Sequence, residues 1–199
     1  MQKIIYTLLL FFPAFLQSQS LSKKINDYTN SYVNTGDFSG CILITKQGEV
    51  IFQNCYGKAN AAFQIENTSS TKFMIGSISK QITATAILRL EEQGKLSTKQ
   101  NITPFFPELE KAQFITIEQL LTHQSGITDI YNVQDFKLMN VSKKTVQDLA
   151  QQLLKKELDF QPGTNYQYSN GGYAVLGAII EKASGMAYGA YLKQYIFDP

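Results

Sequence analysis

Residues 73–81 read Phe73-Met-Ile-Gly-Ser-Ile-Ser-Lys-Gln81, a glycine followed by a serine and, three residues further on, a lysine. The stretch opens a run whose apolar positions Ile78, Ile82, Thr85/Ala86 and Leu90 recur at helical spacing, and Gly94 stands where such a run would stop. The pattern predicts a helix from about Ser77 to Gln93. Residues three apart share one face of a helix, so Lys80 would place its amine beside the Ser77 hydroxyl. A serine at a helix start also lies where the partial positive charge of the N-terminus favours developing negative charge. Serine is a weak nucleophile until a neighbouring base takes its proton. Spacing alone is a weak signal, because Ser-x-x-Lys occurs three times: Ser20–Lys23, Ser69–Lys72 and Ser77–Lys80. Only the last follows a glycine and opens a long amphipathic run.

Upstream, Phe38-Ser-Gly-Cys-Ile-Leu-Ile-Thr45 and Val50-Ile-Phe-Gln-Asn-Cys55 alternate across Lys46-Gln-Gly-Glu49, a hairpin signature. A three-residue loop at Gln47–Glu49 sets Cys41 opposite Cys55. A two-residue loop at Gln47-Gly48 shifts the pairing by one and turns the two side chains to opposite faces. These are the chain's only two cysteines. They read equally well as a disulfide in an oxidising compartment and as two small buried hydrophobes. Ser22 to Asn34 reads as a helix ahead of the hairpin, and Glu66-Asn-Thr-Ser-Ser-Thr71 as a polar connection.

Downstream the signals are helical. Thr116-Ile-Glu-Gln119 resembles a capping box opening a short helix through Leu121. Val146, Leu149, Ala150, Leu153 and Leu154 describe an amphipathic helix ending near Pro162-Gly163. A further helix starts after Ser169-Asn170 and stops at Gly185, and a last piece covers Tyr188 to Ile196. Two strands followed almost only by helices leave a sheet with unpaired edges, so an element that should extend the hairpin is missing from this sequence.

The 199 residues carry 18 basic and 16 acidic side chains, which suits one globular domain. No basic run is present, which argues against a nucleic-acid partner. Lys3, the apolar stretch Ile4 to Leu16 and the small residues of Ser18-Gln-Ser20 read as a secretory leader over residues 1–20. The apolar stretch contains Pro13 and falls short of the roughly 20 residues that span a bilayer. No cysteine follows it, so a lipoprotein anchor is not indicated. The mature domain, 21–199, is therefore expected in the periplasm or outside the cell, with no stable membrane anchor after leader removal. Two cysteines and one distant histidine make a poor metal-ligand set, and phosphate-loop and dinucleotide fingerprints are absent. No cofactor is implied.

Two more segments carry candidates. Tyr168-Ser-Asn170 stands in a turn-rich stretch directly before a helix. Ser169 or Asn170 would serve there as a plain N-cap, and Tyr168 reads by itself as a packing residue. His123, in Leu120-Leu-Thr-His-Gln-Ser-Gly126, is the chain's one histidine. A Ser-His-Asp triad would have to use it, yet its position before a Ser-Gly turn reads as a residue that fixes a loop.

Taken together, Phe73–Gln81, Leu120-Leu-Thr-His-Gln-Ser-Gly-Ile127 and Pro162-Gly163 leading into Tyr168-Ser-Asn-Gly-Gly-Tyr173 closely resemble the β-lactamase-related serine hydrolase family. That family includes class C β-lactamases, D-alanyl-D-alanine carboxypeptidases, D-aminopeptidases and related esterases, and the resemblance covers about residues 36–199. It implies an α+β fold of the β-lactamase/transpeptidase type, a helical part beside an antiparallel sheet of which the N-terminal hairpin strands are present. It implies that Ser77 forms an acyl-enzyme, that Lys80 helps remove its proton, and that Tyr168 is a base or proton shuttle. Asn170 matches the position that hydrogen-bonds substrate and Lys80, and the Ser77 N–H would give half of an oxyanion hole. The histidine segment matches a structural signature without a catalytic role. The implied substrates are amides, peptides or esters, including peptidoglycan-derived ones; a non-catalytic ligand-binding relative is the alternative. The family's third motif, a Lys- or His-containing triplet ending in Gly, has no counterpart here, so the resemblance implies a C-terminally truncated member with an incomplete site.

Overall fold

The computed structural model describes residues 13–132 and 145–199. The expected leader lies largely outside the described residues, since its first twelve fall there. The chain forms two compact units, one up to Met74 and one from Ile75 to Pro199.

The first unit holds helix α1 (Pro13–Thr35) and strands β1 (Gly40–Lys46), β2 (Glu49–Tyr56), β3 (Lys58–Asn60) and β4 (Ile65–Glu66). β1 and β2 pair antiparallel, with Lys46 opposite Glu49 and Cys41 opposite Cys55. The loop is thus the two-residue one, Gln47-Gly48, and both residues have positive φ (52° and 83°), as a type I′ hairpin turn requires. An irregularity between Ile44 and Thr45 leaves Ile51 as an extra residue on β2. That bulge restores the register which the short loop alone would have shifted. Cys41 and Cys55 form a disulfide across it. β3 and β4 make a second small hairpin, with strands of three and two residues, too short for a periodic signal. Within the unit, α1 meets β2 through Asn26, whose Oδ1 accepts from Tyr56 Oη (2.8 Å) and Asn54 Nδ2 (3.2 Å).

The second unit is helical: α2 (Ile78–Glu92), α3 (Ile117–Leu121), α4 (Val146–Lys155), α5 (Asn170–Ser184) and α6 (Tyr188–Leu192), with 3-10 turns at Glu110–Phe114 and Ile130–Asn132 and a π-helical turn at Lys193–Phe197. α2 ends as Gly94 predicted: Gly94 N–H bonds Glu91 O and Lys95 N–H bonds Leu90 O, a Schellman closure around a glycine with φ 68°. Its buried face is Thr83, Ala86, Ile87 and Leu90, while Ile78 is exposed. The expected stripe therefore holds at Leu90 and Ala86 and fails at Ile78. The Thr116 capping box of α3 is formed, and Thr145 with Asp148 makes a second one on α4. α4 ends at Lys155, earlier than the expected Pro162-Gly163. Residues 156–169 instead run as irregular chain to the start of α5.

α5 is the axis of the unit. Val175, Leu176, Ala178, Ile179 and Ile180 are fully buried, and the helix packs against α2, α3, α4 and α6. Burying a Leu, Ile or Val contributes about 1.5–3 kcal/mol each, so this helix is the main apolar anchor for everything attached to its N-terminus. Glycine is required at its first turn. A Cβ on Gly171 would stand 2.3 Å from Thr128 O and 3.1 Å from Leu153 Cδ2. We expect Gly171→Ala to cost about 1–3 kcal/mol by overpacking, read as a lower urea midpoint; an unchanged midpoint would show that the 127–129 segment yields freely.

Candidate active site

Ser77 precedes α2 with helical φ and ψ, and its side chain makes no capping hydrogen bond. The hydroxyl is directed elsewhere. Ser77 Oγ lies 2.7 Å from Tyr168 Oη and accepts from Lys80 Nζ at 3.2 Å. Lys80 Nζ also donates to Asn170 Oδ1 at 2.6 Å. The four residues expected from the sequence thus meet in one hydrogen-bonded chain, although some ninety positions separate the two segments. Turn bonds from Ile78 N–H to Ile75 O and from Ser79 N–H to Gly76 O lead into α2, so Ser77 stands at its N-terminus, where the helix dipole favours negative charge.

The segment before α5 resolves the alternatives left open by the sequence. Ser169 is the N-cap: it is buried, and its Oγ accepts from Gly172 N–H at 3.0 Å. That frees Asn170 to face Lys80. Tyr168 is 44% exposed and turns its hydroxyl to Ser77, so packing is not its sole part. Lys80 Nζ lies 4.8 Å from the centre of the Tyr168 ring. Interaction with Lys80 first, then the hydrogen bond to Ser77, holds the Tyr168 phenol below its ordinary pKa, opposed by partial burial and by the charge of Asp129.

His123 has a left-handed backbone, φ 59°. Its Nδ1 accepts the Ser169 N–H at 3.2 Å and its carbonyl accepts the Gln167 N–H at 3.0 Å. Its ring lies 4.6 Å from that of Tyr168 and 5.1 Å from that of Tyr173. The histidine therefore braces the irregular segment that carries Tyr168 and does not touch Ser77 through any of these bonds. Burial first, then the charge of Lys80, pushes its pKa below the usual histidine value. A neutral Nδ1 is required for the bond to Ser169, so the sign follows: this stability is full above the unfolded pKa of about 6.5 and is lost as pH falls through that value toward the lower folded one. We expect the melting temperature to drop over that range, and to drop less in His123→Asn, which keeps an acceptor, tolerates positive φ and does not titrate. An equal pH slope in both proteins would exclude His123 as the cause.

Asp129 was not singled out by the sequence. Its Oδ2 accepts from Asn170 N (2.8 Å) and Asn170 Nδ2 (3.0 Å), and its Oδ1 from Tyr131 N (3.0 Å). An acidic residue three positions after Gly126 was the one signal available, and nothing in the sequence tied it to Asn170, forty-one positions on. Lys80 and Asn170 also line a cavity of about 580 Å³ with Thr83, Tyr173, Glu181 and Tyr188. Among the described residues no helix is long and apolar enough to cross a membrane.

Comparison with known proteins gives the family and the fold. The family model described as Beta-lactamase matches residues 26–199. A Bacillus subtilis (strain 168) protein named "Putative penicillin-binding protein PbpX" is 34% identical over 174 residues, covering 87% of this chain and 42% of that protein. The teichoic acid D-alanine hydrolase of Staphylococcus aureus is 28% identical over 177 residues, covering 89% of this chain and 42% of that one. Among solved structures, FmtA from Staphylococcus aureus superposes with a TM-score of 0.78 at 27% identity, over 89% of this chain and 48% of that chain. The chain spans less than half the length of these relatives. Its fold is the α+β fold of β-lactamases and penicillin-binding proteins, in the part that these relatives share with it. With the family match running from residue 26 to residue 199 across both units, the chain belongs to the beta-lactamase family.

Proposed function

We propose that the full-length protein is an exported serine hydrolase that forms an acyl-enzyme through Ser77 and acts on D-alanyl esters, amides or peptides of the cell wall. The observation that carries this reading is the Tyr168–Ser77–Lys80–Asn170 chain of hydrogen bonds. Tyr168 Oη is the nearest side-chain oxygen to Ser77 Oγ in that chain, and Lys80 is oriented as a donor toward both Ser77 and Asn170. In this scheme the Tyr168 phenolate takes the Ser77 proton while Oγ adds to the substrate carbonyl carbon. The bond to the leaving amine or alcohol then breaks, and Tyr168 returns the proton to it. Water then adds to the acyl carbon while Tyr168 takes its proton; the bond to Oγ breaks, Tyr168 returns the proton to Oγ, and the acid leaves and ionises to a carboxylate. Lys80 supports the phenolate throughout by its charge.

The substrate class rests on chemistry that the relatives' names describe, D-alanine on teichoic acid and penicillin binding. Export is supported by the apolar N-terminal stretch and by the Cys41–Cys55 disulfide, a bond that persists in oxidising compartments. The test is release of free D-alanine from a D-alanyl ester and from a D-alanyl-D-alanine peptide. Turnover that is lost in Ser77→Ala supports the reading. Reversible binding without turnover, unchanged in Ser77→Ala, overturns it in favour of a ligand-binding protein.

A further inference from the structure

We infer that Asp129 is a positioning residue for the reaction at Ser77: it fixes the orientation of the Asn170 amide, and through it the place of the Lys80 amine. The inference rests on the proposed chemistry at Ser77.

An asparagine amide has two nearly isosteric orientations, and its partners decide between them. Asn170 stands between a group that only donates and a group that only accepts. Lys80 Nζ donates to Oδ1 at 2.6 Å on one side, and Asp129 Oδ2 accepts from Nδ2 at 3.0 Å on the other. A flipped amide would set Nδ2 against the lysine and Oδ1 against the carboxylate, donor on donor and acceptor on acceptor. Without Asp129 one of these two restraints disappears, and Asn170 gains rotamers in which Oδ1 leaves Lys80. Lys80 then loses its shortest hydrogen bond and the anchor that holds it 3.2 Å from Ser77 Oγ.

Asp129 is itself held from several directions. Oδ2 accepts the Asn170 backbone N–H at 2.8 Å, at the N-terminus of the fifteen-residue α5, where a carboxylate is favoured by the helix dipole. Oδ1 accepts the Tyr131 N–H at 3.0 Å, at the start of the 3-10 turn. The residues before it are pressed onto the same helix end. Ser169 Oγ donates to Thr128 O at 3.4 Å, and Gly171 leaves room for that carbonyl where any Cβ would collide with it. The segment from His123 to Asp129 thus acts as a rear support. Its histidine holds the backbone at Ser169, next to Tyr168, and its aspartate holds Asn170, so one loop supports Tyr168 on one side of Ser77 and, through Asn170, Lys80 on the other.

Double-mutant kinetics on the full-length protein test this. Asp129→Asn is the near-isosteric variant, since it replaces the all-acceptor carboxylate with a group that also donates. We expect kcat to fall on the order of 100-fold in Asp129→Ala and less in Asp129→Asn, with KM nearly unchanged, because misplaced catalytic groups cost rate and not uniform binding. In an Asn170→Ala background, Asp129→Ala should cost almost nothing further. A crystal structure of Asp129→Asn should show Lys80 Nζ withdrawn from its contact with Asn170. Independent, multiplying losses from Asp129 and Asn170 would overturn the inference, as would wild-type kcat in Asp129→Ala. A wild-type protein without any turnover would defeat the reading at Ser77 instead; the Lys80–Asn170 contact in the Asp129→Asn structure would then decide the positioning role alone.

Discussion

Alanine in place of Ser77 is expected to reduce kcat about a millionfold while leaving substrate binding within a few-fold of wild type. Ser77 Oγ is the atom on which the Tyr168 and Lys80 contacts converge, at 2.7 and 3.2 Å. Neither partner has another nucleophile to activate through those bonds. The substitution is structurally mild, because the Ser77 side chain caps nothing and the residue is exposed. The melting temperature should therefore barely move. Loss of activity without loss of stability is the expected pairing; a large drop in both would assign Ser77 a structural role at the start of α2.

Phenylalanine in place of Tyr168 is the second large effect, an expected loss of about 10²–10⁴ in kcat, the range for removing a general base. The ring would stay beside His123, at 4.6 Å between centroids, so packing is preserved and only the hydroxyl is lost. Stability should change by no more than about 1 kcal/mol, the net worth of one hydrogen bond. The pH dependence carries a sign. Lys80 and Ser77 hold the phenol below its ordinary value, so the rising acid limb of the rate profile should lie below the ordinary tyrosine pKa of about 10. Lys80→Ala removes the largest of those influences and should move that limb upward as well as lowering the plateau. A limb that does not move in Lys80→Ala would separate the lysine from the ionisation of Tyr168.

Much of the site was legible because it is written locally. Ser77 and Lys80 lie one turn apart on a helix whose start and stop are both marked, by Gly76 on one side and Gly94 on the other. Tyr168-Ser-Asn170 stands directly before a second helix, and a cap was due there; only the division of labour, Ser169 capping and Asn170 facing Lys80, needed three dimensions. Asp129 escaped because its meaning is entirely tertiary. Its partner is forty-one positions away, and the approach depends on Gly171 having no side chain.

The fold followed the same rule. Helix ends with a cap or a glycine read correctly, as at Thr116, Gly94 and Gly185. The end of α4 did not, because Pro162-Gly163 marks a turn in the following irregular chain and not the helix terminus. The hairpin register came out with Cys41 opposite Cys55, but by a route that counting could not see, a short turn compensated by a bulge at Ile51. The β3–β4 hairpin was missed since its strands are exposed and only three and two residues long, too short for a pattern to be read. The α+β class came with the resemblance carried by the three motifs, and the order of strands and then helices fits it.

Covalent acylation of Ser77 can be read by peptide mapping after exposure of the folded, full-length protein to a fluorophosphonate or a labelled penicillin. One adduct is expected on the tryptic peptide Phe73–Lys80, placed by fragmentation on Ser77 and not Ser79, and absent from Ser77→Ala. A folded protein that takes no label from either probe, or takes it on a residue other than Ser77, would rule out Ser77 as the nucleophile.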